Sequence, residues 1–169
     1  LIDEALLAQA AALLAQCRAA GLRVATAESC TGGLVAAALT AVADSSAVVE
    51  CGFVTYSIAA KTEMLGVPAS LIAEQGAVSE AVARAMAEGA LMRSRAQLAV
   101  SVTGLAGPGG GTAEKPVGLV WLGCARAGME TVAAQHVFPG DRAAVRRAAV
   151  VEALALLARA AAPRERSDV

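Results

Sequence analysis

The sequence predicts a three-layer α/β/α sandwich, a single domain in which helices flank a mixed central sheet. Short β-prone runs at 22–27, 47–57 and 97–103 are interleaved with segments of helical composition. Two further runs, 117–125 and 130–138, face each other across Gly128 as a hairpin. A chain of 169 residues suits one domain and is long enough to bury about 70% of its unfolded surface.

Each element has a local reason. Leu6, Leu7, Leu13, Leu14 and Cys17 recur on one helical face, and Gly21 stops the turn, so residues 3–20 form an opening amphipathic helix. The run 22–27 is a strand that breaks into polar residues, and the apolar segment 34–43 after it is a helix. Asp44, Ser45 and Ser46 punctuate before 47–57, a strand rich in β-branched and aromatic residues. Residues 59–65 form a helix stopped by Gly66, and Pro68 suits the first turn of a short helix to Glu74. Ser79 caps a helix to Arg93, with Val82, Met86 and Ala90 on one face and arginine in its last turn. The apolar strand 97–103 leads into a glycine-rich loop, 104–111. After the hairpin, Gly140 and Asp141 open a final helix whose buried stripe is Val150, Leu154 and Leu157. The domain is expected to occupy 1–162, followed by a polar, frayed tail at 163–169.

Composition removes several function classes. A net charge of −1 leaves no electrostatic footprint for a nucleic acid or an anionic membrane. No uncharged apolar run approaches the ~20 residues that cross a bilayer. The start, Leu1-Ile2-Asp3-Glu4, is acidic where a secretory signal is basic, and its lack of Met suggests that upstream residues are missing. Cys17, Cys30, Cys51 and Cys124 are scattered without a C-x-x-C, as reduced core thiols of a cytoplasmic protein are. With His136 as the single histidine, no metal site is expected, and His136 reads as a structural residue of an edge strand.

The chemistry gathers around Gly21–Gly33. A side chain at this strand–turn–helix junction stands at the carboxyl edge of the sheet, where backbone N–H groups favour negative charge. Ser29 or Thr31 is either a simple helix cap or part of a site, and the paired Gly32 and Gly33 permit close approach. Twelve arginines accompany only two lysines, Lys61 and Lys115. Arginine is never deprotonated in a protein, whereas a desolvated lysine can act as a base. Lys61 follows Tyr56 by five positions, one more than short-chain dehydrogenases require, and no G-x-G-x-x-G accompanies it. The loop 104–111 is not a P-loop, yet its glycines allow the backbone to wrap an anion or a sugar. If the strands ending at Ala27 and Thr103 are parallel, Thr103 reaches the same edge as Ser29. Arg142 and Arg146 share one face of the last helix, where a phosphate would relieve two cations near an N-terminus.

Several of these stretches together resemble the CinA C-terminal domain family. They are Glu28-Ser29-Cys30-Thr31-Gly32-Gly33, Gly52-Phe53-Val54-Thr55-Tyr56-Ser57 with Lys61, Gly76-Ala77-Val78-Ser79, Val102–Pro108, Lys115–Gly118 and Gly140-Asp141-Arg142. The resemblance runs from about Leu6 to Ala160 and implies a stand-alone form of the domain, or a piece of a longer chain. It implies nicotinamide-nucleotide amidohydrolase activity, in which nicotinamide mononucleotide and water give nicotinate mononucleotide and ammonia. No cofactor is implied, and the partner is a small nucleotide. Ser29 matches the family's nucleophile and Lys61 its base. Tyr56 is expected to relay a proton or position the lysine, and Thr103 to hold Ser29 or the carboxamide. Backbone groups from Cys30, Thr31, Gly32 and Gly33 are oxyanion candidates, while Gly104, Gly107, Gly109 and Arg142 are candidates for the phosphate. Two alternatives stand beside this: a Cys30 thiolate nucleophile, and a non-catalytic module that binds a pyridine nucleotide. Ala-rich helix faces suggest a homo-oligomer, with a dimer expected.

Overall fold

Alternation along the strands sends apolar side chains to two separate clusters, one on each face of a sheet. Val24, Leu98, Val100 and Val102 point to one face; Ala25, Ala27 and Ala99 point to the other. The computed structural model of the chain describes residues 2–163. The expected tail at 163–169 therefore lies outside the described residues except for Pro163.

The elements are α1 (Glu4–Ala19), β1 (Val24–Glu28), α2 (Leu34–Thr40), β2 (Val49–Val54), α3 (Ile58–Leu65), α4 (Ala69–Gln75), α5 (Glu80–Met92), β3 (Leu98–Gly104), β4 (Leu119–Arg126), β5 (Val132–Val137) and α6 (Arg142–Ala161). The sheet runs β2-β1-β3-β4-β5. Strand β1 is parallel to both β2 and β3, whereas β4 is antiparallel to β3 and to β5. The expected mixed three-layer sandwich is the observed architecture. Helices α1, α2 and α6 supply one cluster, and α3, α4 and α5 the other.

Capping sets most of the helix starts. Asp3, Ser57, Ser79 and Asp141 accept from the N–H groups of Leu6, Ala60, Val82 and Ala144 respectively. Ser57 explains why the second strand is shorter than the run 47–57. Pairing ends at Val54, Thr55 donates its N–H to Glu28 O (2.8 Å), and Ser57 already caps α3. Residues 45–47 form a single 3₁₀ turn, and α2 ends at Thr40 rather than at residue 43. Helix α5 likewise stops at Met92, so Arg93 is its C-cap.

Close approach between layers uses small residues. A Cβ on Gly52 of β2 would come within 2.8 Å of Thr26 Oγ1 and 3.2 Å of Ala36 Cβ, so α2 can settle on the sheet only over a glycine. On the opposite face Ser101 Oγ donates to Ala83 O of α5 (2.5 Å) and accepts from Gly123 N–H (3.1 Å). All four cysteines are free; Cys17, Cys30 and Cys124 are buried, but Cys51 is only half-buried. His136 of the edge strand β5 stacks on Phe138 just beyond the strand, with ring centroids 5.1 Å apart. Among the described residues, no helix is long and apolar enough to cross a membrane, and no three His, Cys, Asp or Glu side chains gather as a metal cluster would require.

Candidate active site

Because β1 and β3 are parallel and pair Glu28 with Val102, the residues that follow them emerge side by side at one sheet edge. Ser29 N–H donates to Val102 O (2.9 Å), which extends that pairing by one residue. Ser29 is half-buried at the strand tip.

Lys61 reaches this tip from the first turns of α3. Its Nζ lies 3.0 Å from Ser29 Oγ and donates to Thr55 O at 2.7 Å. The side chain is only 2% exposed, and neither of these contacts is with a carboxylate. Burial therefore pulls the amine below its ordinary value, because the charged form is the one that loses hydration. A neutral amine has one lone pair and two N–H donors. With one donor fixed on Thr55 O, the lone pair is free to receive the Ser29 hydroxyl proton.

The turn after Ser29 is held from two sides. Arg146 on α6 donates through Nε to Cys30 O and through Nη2 to Thr31 O, both at 3.1 Å. On the other side, the fully buried Glu28 carboxylate accepts from Gly33 N–H (3.1 Å), Val35 N–H (3.0 Å) and Ala36 N–H (2.9 Å). The anion expected at the start of α2 is thus the chain's own side chain. Gly32 N–H is taken by Ser29 O and Gly33 N–H by Glu28. Of the four backbone N–H groups expected as oxyanion donors, those of Gly32 and Gly33 therefore have acceptors within the chain. The Cys30 thiol is 5% exposed and pushed up to about 11, chiefly by burial, with Glu28 adding to the effect. A thiol so protonated is a poor nucleophile at neutral pH.

Tyr56 and Thr103 are placed differently from expectation. The Tyr56 ring is 61% exposed and its hydroxyl accepts from Arg142 (3.0 Å); no hydrogen bond joins it to Lys61. Thr103 stands at the expected edge, but its hydroxyl donates to Ala77 O (2.7 Å) instead of to Ser29. Arg142 also donates to Gly107 O (2.8 Å), so it joins the glycine-rich loop to Tyr56. Gly109 sits at the exposed tip of that loop, where an added Cβ would meet nothing, while a Cβ on Gly104 would come within 2.7 Å of the Val120 side chain. Gly104 therefore serves sheet packing. Lys115 donates to Gln75 O (3.0 Å) and Val78 O (2.9 Å), tying the loop region to the turn between α4 and α5.

A cleft of about 630 Å³ opens beside this group, lined by Ala106, Pro108, Val117, Gly140, Arg142 and Arg146 among others. Arg146 both lines the cleft and holds the Ser29 turn, whereas Ser29 and Lys61 do not line it. A second cavity, about 460 Å³, lies between β4, β5 and α6 and contains none of these groups. Its one thiol, Cys124, is pushed up to about 12 by burial.

The sequence reading missed Glu28 as a structural ligand and Arg146 as the clamp on the turn. A carboxylate closing an otherwise apolar strand was the available signal for Glu28. Nothing local points from Arg146 to a turn 115 residues away.

The CinA C-terminal domain model matches residues 6–161. The chain is 54% identical over 140 residues to the nicotinamide-nucleotide amidohydrolase PncC of Escherichia coli K12, covering 83% of this chain and 85% of that protein. It is 57% identical over 134 residues to a CinA-like protein of Akkermansia muciniphila, covering 79% of this chain and 32% of the relative. The chain spans about a third of the length of the CinA-like relatives it matches. The crystal structure of the competence/damage inducible protein CihA of Agrobacterium tumefaciens superposes with a TM-score of 0.90 at 48% identity, over 93% of this chain and 96% of that one.

Proposed function

The chain belongs to the CinA C-terminal domain family, and from that membership we propose that it hydrolyses the carboxamide of nicotinamide mononucleotide to give nicotinate mononucleotide and ammonia. The observation that carries the proposal is the almost wholly buried Lys61 amine 3.0 Å from the half-buried Ser29 hydroxyl. A hydroxyl needs a base to attack an amide, and Lys61 is the base within reach.

In this reading Ser29 Oγ adds to the carboxamide carbon as its proton passes to Lys61 Nζ. The oxyanion that forms accepts from the N–H groups of Cys30 and Thr31. The C–N bond then breaks, and the Lys61 ammonium returns its proton to the departing nitrogen, releasing ammonia. Water attacks the acyl-serine, losing one proton to Lys61, which passes it to Ser29 Oγ as the acyl–oxygen bond breaks; the carboxylic acid so released ionises to nicotinate mononucleotide by giving its proton to solvent. Arg142 and the loop around Gly107 hold the phosphate in the adjoining cleft. Tyr56, exposed and fixed by Arg142, closes the near side of the substrate. The proposal includes a cytoplasmic setting, in keeping with four free cysteines, and a homodimer.

The test is ammonia release from nicotinamide mononucleotide, with stoichiometric nicotinate mononucleotide measured by chromatography. Turnover by the full chain, lost in Ser29→Ala, supports the reading. Tight binding of the mononucleotide without ammonia release would instead favour a non-catalytic binding module.

A further inference from the structure

Among the described residues, Glu28 is the one buried carboxylate, and the chemistry above does not use it. It is 0% exposed, and its two oxygens accept from three backbone N–H groups, those of Gly33, Val35 and Ala36. Its backbone is equally committed, because Glu28 O accepts from Thr55 N–H at 2.8 Å. Thr55 is the residue whose own carbonyl holds Lys61 Nζ, and Ser29 is the next residue along from Glu28. One residue therefore touches the supports of both members of the pair.

We propose that Glu28 is a positioning residue for the Ser29–Lys61 pair, an assignment that rests on the reading of that pair as nucleophile and base. The carboxylate fixes where the turn ends and α2 begins, and the turn between them carries Ser29. It engages the N–H groups of Gly33, Val35 and Ala36, and in the proposed mechanism those of Cys30 and Thr31 serve the oxyanion. Arg146 holds the Cys30 and Thr31 carbonyls of the same turn. The function calls for a carboxylate. It offers acceptor sites on both oxygens and no donor, whereas the amide of glutamine would set an N–H₂ against a backbone N–H with no water to separate them.

The experiment uses the full chain, Glu28→Gln and Glu28→Asp, read in two ways. The first is turnover of nicotinamide mononucleotide, separated into kcat and KM. The second is the rate at which an ethoxy fluorophosphonate labels Ser29, located by peptide mass spectrometry. For Glu28→Gln we expect kcat to fall at least about tenfold, with labelling slowed in parallel, because small misplacements of reacting groups are costly. KM is expected to stay within about threefold, since the cleft that holds the nucleotide is untouched. A folded Glu28→Gln chain with wild-type kcat and labelling rate would overturn the proposal, as would a variant that changes KM alone. If Glu28→Gln fails to fold, Glu28→Asp decides by the same criteria, because its shorter carboxylate cannot span all three donors. Labelling also separates the two levels of inference. Wild-type Ser29 that labels without amidase activity removes the substrate assignment and leaves the positioning role. Wild-type Ser29 that never labels removes both.

Discussion

Lys61 Nζ and Ser29 Oγ stand 3.0 Å apart although 32 residues separate them in sequence, and Thr55 O holds the lysine from the other side at 2.7 Å. Strand β1 delivers the hydroxyl, and β2 leads into the helix that delivers the amine. Their parallel pairing brings both to one edge. The pair is thus a product of sheet topology, and the proposed chemistry depends on it.

Replacing Ser29 by alanine is expected to abolish ammonia release while leaving the chain folded, since the lost hydroxyl is half-buried and Lys61 Nζ keeps its bond to Thr55 O. Cys30→Ala should keep most of the activity, because its thiol is pushed up to about 11 and is protonated near neutral pH. Activity that survives Ser29→Ala and vanishes in Cys30→Ala would make the thiol the nucleophile.

Arg142→Ala should raise KM for nicotinamide mononucleotide much more than for the phosphate-free riboside. Charge-assisted hydrogen bonds are worth roughly 1.5–3 kcal/mol, or about 10- to 150-fold in affinity. Equal losses on the two substrates would limit Arg142 to holding Tyr56 and Gly107.

Gly52→Ala is expected to destabilise the fold by about 1–3 kcal/mol through overpacking, because its Cβ would press on Thr26 Oγ1 at 2.8 Å and on Ala36 Cβ at 3.2 Å. Urea unfolding measures this directly. A neutral result would mean that α2 can lift from the sheet without cost.

Stability should rise with pH through a window set by Lys61. Burial lowers the folded amine below the ~10.4 of a free lysine, so between the two values the unfolded chain binds a proton that the folded chain does not. Below the lowered value both states are protonated, and burying the charge is at its most costly. Wild type should therefore gain stability relative to Lys61→Met as pH is raised toward about 10. A relative loss over that range would mean that the folded lysine is held charged.

Much of the fold was readable because its signals are local. The apolar runs, the glycine stops and the Ser79 and Asp141 caps each lie within a few residues of the element they define. Ser29 was legible as the end of a strand, and Lys61 as a lysine kept in an arginine-rich chain. The partners were less legible. Tyr56 looked like a companion of Lys61 because the two are close in sequence, yet its hydroxyl bonds to Arg142, 86 residues away. Thr103 reached the predicted edge, but the turn before α5 supplied a nearer acceptor in Ala77 O. Glu28 was hidden because a charge at a strand end ordinarily marks the move into solvent, and only the returning helix gives it three donors.

The claim on which all the chemistry rests is that Lys61 works as a neutral amine that takes the Ser29 proton. Its most direct test is ammonia release by Lys61→Arg, measured beside Lys61→Met. Arginine keeps the positive charge but is not deprotonated in a protein, so it cannot serve as the base. Both variants are expected to be equally inactive. Substantial activity in Lys61→Arg would contradict the account, since the lysine would then act as a fixed charge and another group would have to take the proton.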